Sequence, residues 1–176
     1  MIDTSTRGLT LADAPQVGEY WEGQGGFYAG IIPDYVGTQP RFLIFAADEA
    51  VDVEWGGTGA DDAGALDTDN GATNTHSLTD SGHAKHPHEA ARFASAYEKD
   101  GHRDFYLPSK RELDVAFETI RDKFDPMDWY WSSTQQSRLG AYGRSFGDLS
   151  VPSLPKNIVG RARPARSIPV IEERPA

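Results

Sequence analysis

The feature that most constrains the fold is a pair of amphipathic segments placed between two sets of strand-like stretches. The first segment, HPHEAARFASAYEKDG, starts at His86; Pro87 suits the first turn of a helix there, and Gly101 is placed to end it. The second, LPSKRELDVAFETIRDKF, contains Ser109 and Glu112 at the spacing of a capping box. Each predicted helix has one apolar face, which a sheet must cover. The apolar residues are Ala90, Phe93, Ala94 and Tyr97 in the first helix, and Leu113, Ala116, Phe117 and Ile120 in the second.

Strand-like stretches stand on both sides of these helices. VGEYWEGQGGFYAGII, residues Val17–Ile32, predicts a hairpin around its glycines. RFLIFAA, Arg41–Ala47, is a continuous apolar run typical of a buried strand, and VDVEW, Val51–Trp55, alternates apolar and acidic residues. DWYWSST, AYGRSFGDLS and VGRARPARSIPV predict further strands after the helices. This order predicts an α+β fold in which two helices cover a mostly antiparallel sheet.

A long polar stretch, GGTGADDAGALDTDNGATNTHSLTDSGHA, separates the first strands from the helices. It has few large apolar residues and is rich in Gly, Asp, Thr and Asn, so we predict a long loop over residues 56–84. Loops longer than about 12–15 residues are usually functional or disordered. From Asp48 to Asp80 the chain has nine acidic residues and no Lys or Arg, so its acidity is concentrated here.

The composition limits the classes of protein to which the chain can belong. Its 176 residues fit one domain, predicted at residues 16–170, with an N-terminal arm at 1–15 and a C-terminal tail at 171–176. The formal net charge of −10 argues against binding to nucleic acid or to an anionic membrane, since both require a positive surface. Without cysteine, the chain cannot form disulfides, thiolate nucleophiles or iron–sulfur clusters.

The sequence carries no pattern that predicts secretion or membrane insertion. The N-terminal stretch MIDTSTRGLTLADAP lacks the basic-then-apolar pattern of a signal peptide. No apolar run approaches the ~20 residues that a membrane helix needs. The lack of cysteine fits folding in a reducing compartment, so we expect synthesis in a host cytoplasm.

Four short blocks in the second half of the chain resemble one known family. They are FYLPSKRELDVAF, WYWSSTQQ, AYGRSF and RARPARSI, in this order. Together they resemble the C-terminal domain of collagen-like adhesins, the Lcl C-terminal domain family. The stretch GEYWEGQGGFYAGII is similar to the family's opening strands, though less specifically. The matching residues are Phe105, Leu107, Pro108, Ser109, Glu112 and Leu113; Tyr130, Trp131, Ser132, Ser133 and Thr134; Ala141, Tyr142 and Phe146; and Arg163, Pro164, Ala165 and Arg166.

The resemblance implies a C-type-lectin-like fold and a place on a cell or particle surface. Proteins with this domain are surface adhesins or parts of phage particles. This chain has neither a signal peptide pattern nor a collagen-like G-x-y stalk, which favours a bacteriophage virion protein such as a tail fibre, tail tip or head fibre. We expect it to bind a host receptor or glycan as a homo-oligomer, such as a homotrimer, beside other virion proteins. The alternative is a non-catalytic capsid decoration or structural tail protein.

We expect neither catalytic activity nor a cofactor. The resemblance also implies a relation in shape to formylglycine-generating enzymes, whose chemistry depends on a cysteine pair that this chain lacks. The motifs G-x-S-x-G and H-E-x-x-H are absent from the sequence. The many carboxylates lie in the polar stretch, and a loop is a poor platform for acid–base catalysis.

The stretch WYWSSTQQSRLGAYGRSF poses a choice between a core strand and a binding site. Trp129 and Trp131 share one side of a strand, and a buried tryptophan removes about 150–250 Å² from water, so we interpret Trp131 as core. Ser132 and Ser133 are predicted to begin a turn, and the polar residues after them are predicted to lie on the surface. The candidate ligand-binding residues are Gln135, Gln136, Arg138, Tyr142 and Arg144.

Two patterns raise the question of a bound cation. His83, His86 and His88 form an H-x-x-H-x-H cluster that could bind a transition metal, but we favour solvated histidines at the start of a helix. Asp67 and Asp69 begin a pattern like a calcium loop, but a glycine takes the third donor position and the final glutamate is missing. We therefore expect no metal and favour a solvated acidic loop.

A basic segment, RARPAR, lies near the end of the chain. Strand alternation places Arg161 and Arg163 on one side, where they could pair with the acidic loop or with a neighbouring subunit. An isolated exposed ion pair contributes only ~0–1 kcal/mol to stability. Pro164 favours an edge strand or a bulge at this point.

Overall fold

The computed structural model describes residues 8–32, 39–81, 85–148 and 153–172. In this part of the chain, three α-helices accompany nine strands in two sheets, so the predicted α+β class is confirmed. The strands are β1 (Tyr20–Trp21), β2 (Gly26–Ile32), β3 (Arg41–Ala46), β4 (Ala50–Glu54), β5 (Trp129–Gln135), β6 (Gly140–Ser145), β7 (Ser153–Pro155), β8 (Val159–Ala162) and β9 (Ala165–Pro169). The helices are α1 (Gly71–Asp80), α2 (Glu89–Ala96) and α3 (Lys110–Thr119).

The first sheet has the strand order β1-β2-β3-β9 and is antiparallel throughout. β1 and β2 form the predicted hairpin, which confirms the interpretation of the glycine-rich stretch. β3 is buried on both faces, as its continuous apolar run predicts. Leu43 and Phe45 pack in the same core as α3, whereas Phe42 and Ile44 pack on the opposite face with Trp21.

Part of the predicted N-terminal arm packs on this sheet. Leu9 contacts the cluster that contains Phe42 and Ile44. Its carbonyl oxygen accepts a hydrogen bond from the backbone N–H of Ile171 at 2.8 Å. The segment from residue 8 to residue 15 is thus tied to the domain, while residues 1–7 and 173–176 of the predicted arm and tail lie outside the described residues.

The second sheet has the order β4-β8-β5-β6-β7, with β5 and β8 parallel and the other pairs antiparallel. β4 is an outer strand, and its pairing with β8 is irregular between Ala50 and Val53. Asp52, which lies in this irregular part, has a φ of 55°. This bulge interrupts the alternation predicted for VDVEW, because Val51 and Asp52 are both exposed. β7, the other outer strand, ends at Pro155.

β5 separates the two main cores of the protein. Trp131 is fully buried and packs in one core, while Tyr130 points to the other side and packs with Phe45, Phe124 and Phe146. The interpretation of Trp131 as core is therefore confirmed. Its indole Nε1 donates to the carbonyl oxygen of Val53 at 3.0 Å, which also ties β5 to β4. The core around Trp131 includes Trp55, Leu78, Ala90, Ala94, Leu107, Ala141 and Ala162.

Helix α1 lies inside the stretch predicted as a long loop, so that prediction is wrong for residues 71–80, and three helices replace the two predicted. The buried residues of α1 are Gly71, Asn74, Thr75 and Leu78. This set contains one large apolar side chain, so the sequence shows no apolar stripe. Asn74 instead donates from Nδ2 to the Asp67 carbonyl at 2.7 Å and to the Ser133 hydroxyl at 3.1 Å. Hydrogen bonds rather than apolar periodicity therefore fix this helix in place.

The first predicted amphipathic helix is present as α2, but its ends differ from the prediction. His88 occupies the N-cap position, so Pro87 lies before the helix and not in its first turn. The helix stops at Ala96, and Tyr97 follows it in extended conformation. Gly101, with a φ of 78°, belongs to a separate turn between Lys99 and His102 and does not end the helix.

The second predicted helix is present as α3 with the predicted capping box. The Ser109 hydroxyl accepts from the Glu112 backbone N–H at 3.2 Å, and the Glu112 carboxylate accepts from the Ser109 backbone N–H at 2.7 Å. Leu113, Ala116 and Ile120 are buried as predicted, with Phe117 packed against the same core. None of the helices in the described ranges has the length and apolar character needed to cross a membrane.

Two strand boundaries were predicted wrongly. β5 continues through Ser132 and Ser133 to Gln135, so the serines lie in the strand and do not begin a turn. The stretch VGRARPARSIPV is split at Pro164 into β8 and β9, which belong to different sheets. Pro164 lacks the N–H that a continuous ladder would need, which suits this transition between sheets.

The central position of Trp131 predicts a large stability effect. We expect Trp131→Ala to lower the free energy of unfolding by about 3–5 kcal/mol, because it leaves a cavity in the core that contains Trp55 and Leu107 and removes the bond to Val53. Val159→Ala, at a half-exposed valine of the adjacent strand β8, is the control and should change stability by less than about 0.5 kcal/mol. Urea unfolding measures both, and equal effects of the two substitutions would contradict the assignment of Trp131 to the core.

Candidate ligand-binding site

The five predicted ligand-binding residues occupy three different environments. Gln136 and Arg138 are exposed in the turn that connects β5 to β6, as predicted. Gln135 is buried, so the prediction that it lies on the surface is wrong. Tyr142 and Arg144 lie on β6 and contact α3. The structure therefore brings only Gln136 and Arg138 together at one exposed turn.

Gln135 is buried because β5 extends further than the sequence suggests. Its amide oxygen Oε1 accepts from the Lys156 ammonium at 2.7 Å and from the Asp62 backbone N–H at 2.9 Å. Its amide nitrogen Nε2 donates to Asp61 Oδ1 at 2.9 Å. Since both ends of the amide are occupied, Gln135 supports the loop that contains Asp61 and Asp62.

Arg144 and Tyr142 form a separate cluster with α3. The Arg144 guanidinium donates from Nη1 to Asp114 at 2.8 Å and lies 3.9 Å from the centre of the Phe117 ring. The Lys110 ammonium lies 5.7 Å from the centre of the Tyr142 ring. These contacts hold β6 against α3. They engage the side chains of Arg144 and Tyr142, which the sequence analysis predicted to bind a ligand.

A cleft of about 420 Å³ lies beside the β5–β6 turn. One wall comes from this turn, and the other walls come from the loop after β4 and from the β7–β8 region. Two backbone hydrogen bonds join the walls: Gly59 N–H donates to the Arg138 carbonyl at 2.9 Å, and Lys156 N–H donates to the Leu139 carbonyl at 2.9 Å. The lining residues are Thr58, Gln136, Ser137, Leu139, Gly140, Ser153, Leu154, Pro155 and Asn157.

A fully buried lysine lies next to this cleft. The ammonium of Lys156 donates to Gln135 Oε1 at 2.7 Å and to the Ala60 carbonyl at 3.0 Å, and lies 3.4 Å from Asp62 Oδ2. It also lies 4.6 Å from the centre of the Trp55 ring. Gln136, which follows Gln135, and Pro155 and Asn157, which flank Lys156, line the cleft, so this network helps to fix the cleft walls relative to one another.

Burial is the main influence on the Lys156 ammonium. Burial lowers the pKa of Lys156 below its usual value, and the neighbouring Asp62 carboxylate opposes this change. Sequence analysis did not identify the network, because Asp62 and Lys156 are separated by 94 residues and no motif links them. The acidic loop was expected to be solvated, but its Asp62 is buried and held by this lysine.

His88 belongs to the same buried region, so its interpretation as a solvated histidine is wrong. Its side chain is 1% exposed, and its Nδ1 lies 2.8 Å from the Trp55 carbonyl oxygen. Because a carbonyl oxygen only accepts, Nδ1 is the donor in this contact. The other ring nitrogen, Nε2, lies 3.4 Å from Asp62 Oδ1. His86 is exposed, and His83 lies outside the described residues.

Asp67 and Asp69 shape the start of α1. Oδ1 of Asp67 accepts from the backbone N–H groups of Asp69 and Asn70 at 2.8 and 2.9 Å. Asp69 lies 3.3 Å from Nη1 of Arg111. Among the residues that the structure describes, no group of three or more His, Asp or Glu side chains is arranged to hold a metal ion.

The arginines of the basic segment form a partly buried network around Glu49. Arg161 Nη1 donates to Glu49 Oε1 at 2.6 Å, and Arg163 Nη2 donates to Glu49 Oε2 at 2.6 Å. The Tyr130 hydroxyl also donates to Glu49 Oε2, at 2.8 Å. Arg161 additionally pairs with Asp125 at 2.7 Å. The arginines thus share a carboxylate within the domain, as members of a network and not as an isolated exposed pair.

Comparison with known proteins adds no family to this description. A scan against protein-family models finds no match to the chain, and a search of curated proteins finds no significantly similar sequence. The resemblance to the adhesin C-terminal domain therefore stays a prediction from the four sequence blocks.

Removal of the buried ammonium should destabilise the domain. We expect Lys156→Met to lower the free energy of unfolding by about 3–5 kcal/mol, because Asp62 stays buried without its cation. A second substitution, Asp62→Asn in the same chain, should restore part of the loss. Lys99→Met is the control, since Lys99 pairs with Asp48 in an exposed position where the loss should be about 0–1 kcal/mol. Thermal and urea unfolding measure all three, and equal losses at Lys156 and Lys99 would contradict the network.

The arginine network predicts a dependence of stability on alkaline pH. Burial raises the pKa of Tyr130 from 10.0 to about 12, with a further contribution from Glu49. Between these two values the native state keeps a proton that the unfolded state releases, so stability falls as the pH rises. We expect Tyr130→Phe to lose less stability than the wild type between pH 10 and pH 12. Urea unfolding at a series of pH values measures this, and identical slopes would contradict the assignment.

Proposed function

We propose that this chain is a non-catalytic recognition domain of a bacteriophage particle, with a C-type-lectin-like fold, that binds a glycan or protein on the host surface. The observation that carries the proposal is the cleft beside the exposed β5–β6 turn, which is built on a fixed internal frame. Rigid frames that present exposed loops are typical of recognition domains. The lectin-like fold and the assignment to a phage particle are proposed because the four sequence blocks resemble the adhesin family.

The roles of the sequence blocks support this proposal. The Glu112 carboxylate accepts from Gly71 N–H at 3.2 Å and from the Tyr106 hydroxyl at 2.7 Å, in addition to its capping bond. It thereby joins the starts of α1 and α3. The WYWSST block forms the strand between the two cores. Side chains of these blocks therefore hold the frame to which the exposed turn is attached.

The exposed turn is also chemically suited to recognition. Gln136 offers an amide and Arg138 a guanidinium at the surface, and both residues follow directly from a rigid strand. Backbone bonds from Gly59 and Lys156 hold the carbonyls of Arg138 and Leu139. A preorganised turn loses little conformational entropy when it binds a partner.

Binding to host surfaces tests the proposal. We expect the fluorescently labelled chain to bind isolated envelopes of some members of a bacterial panel, and the double substitution Gln136→Ala with Arg138→Ala to weaken binding by about tenfold or more. Arg92→Ala, at an exposed arginine on α2, is the matched control and should leave binding unchanged. Absence of binding to every envelope in a broad panel, or equal effects of both variants, would count against the proposal.

A second candidate function is a capsid decoration or structural tail protein. It is favoured by an apolar surface at the end of the first sheet, where Leu11, Ile31 and Ile171 are 63%, 41% and 44% exposed. These residues line a groove of about 650 Å³ together with Pro40 and Val170. Exposed apolar patches of this kind often mark contacts with other proteins. A chain that binds no envelope but associates with purified particles through this surface would favour the second candidate.

A further inference from the structure

The lining of the cleft beside the β5–β6 turn is uncharged, although a quarter of the chain's residues are charged. Of the described residues that line it, none is Asp, Glu, Lys, Arg or His. Lys156, which stands between the lining residues Pro155 and Asn157, is buried and contacts Asp62, which is also buried. Arg138 lies in the adjacent turn without being part of the lining. A charged ligand group would therefore lose its hydration here without gaining an ion pair.

The residues that line the cleft also carry neutral hydrogen-bonding groups. The Thr58 hydroxyl is buried and forms no hydrogen bond with any described residue. A buried polar atom without a partner is uncommon in folded proteins and requires an explanation. The Gln136 Oε1 accepts from the Ser153 hydroxyl at 3.2 Å, and the side chain of Asn157 is exposed at the opposite side. Residues with hydroxyl and amide side chains from three separate segments thus line the cleft.

The lining of the cleft also includes apolar side chains. Leu139 is 64% exposed, and Leu154 and Pro155 lie partly open on the β7 side. Gly140 is buried, and a Cβ atom there would lie only 2.8 Å from Ser153 Oγ and 3.2 Å from Gln136 Oε1, so these two side chains leave no room for a larger residue. A volume of about 420 Å³ is within the usual range of small-ligand sites, about 300–1,000 Å³.

From these features we infer that the cleft binds an uncharged, hydroxyl-rich ligand, namely a neutral sugar unit of a surface glycan. This inference rests on the proposed recognition function and narrows its ligand class. The hydroxyls of a neutral sugar match the Thr58, Gln136 and Asn157 groups, and its C–H face matches Leu139. An anionic sugar fits poorly, because the described residues of the lining include no cation and the whole chain carries a formal charge of −10.

The test is a glycan array that contains neutral glycans and their sulfated, uronic-acid and sialylated counterparts. We expect the full chain to bind neutral members and to retain its affinity when the salt concentration is raised, because no ion pair is formed. Thr58→Val keeps the side-chain shape and removes the hydroxyl, so it should weaken binding by about tenfold. Gly140→Ala should weaken binding, because the added Cβ would displace the Ser153 and Gln136 side chains that line the cleft. Thr68→Val, at an exposed threonine outside the cleft, is the matched control.

The outcomes separate this inference from the proposed function. Binding to anionic glycans alone, binding that falls steeply with salt, or binding that is unchanged in both Thr58→Val and Gly140→Ala would overturn the inference and leave envelope recognition standing. Envelope binding without binding to any glycan would also overturn it and indicate a protein receptor. Failure to bind any envelope would overturn the proposed function as well. Circular dichroism and thermal unfolding of each variant establish that the chain is folded.

Discussion

The buried ammonium of Lys156 is the interaction on which the candidate site depends. It brings together the loop after β4 through Ala60 and Asp62, the end of β5 through Gln135, and the turn between β7 and β8 that contains the lysine itself. These segments are distant in sequence, and each contributes residues to the cleft. The Lys156 ammonium thus balances the negative charge of Asp62 in the acidic loop and positions the cleft walls. The free-energy cost of burying this charge is offset by its oxygen partners and by the Trp55 ring.

Apolar periodicity predicted those parts of the fold that bury apolar side chains. The continuous run of β3, the hairpin of β1 and β2, the stripe of α3 and the core position of Trp131 all follow from which side chains must leave water. The α+β class follows from the order of these elements. Element ends were less predictable, because Pro87 and Gly101 are compatible with several positions near a helix and only packing selects one.

Burial of polar groups explains most of what the sequence did not predict. α1 buries Asn74 and Thr75, β5 buries its serines and Gln135, and His88 is enclosed beside Trp55. Most of these residues have hydrogen-bond partners in distant segments, so spacing along the chain carries no signal for them. The candidate site was predicted only in part for the same reason. Gln136 and Arg138 follow from local turn chemistry, whereas Thr58 and Lys156 reach the site through tertiary packing.

The irregular outer strand β4 has a consequence for how copies of this domain can be arranged. A straight exposed strand offers unpaired N–H and C=O groups to any neighbouring chain. The left-handed conformation of Asp52 and its exposed carboxylate interrupt that row of groups on one side of the second sheet, and Pro155 lies on the strand at the other side. Both features interrupt the hydrogen-bonding edges along which the second sheet could continue into a neighbouring chain.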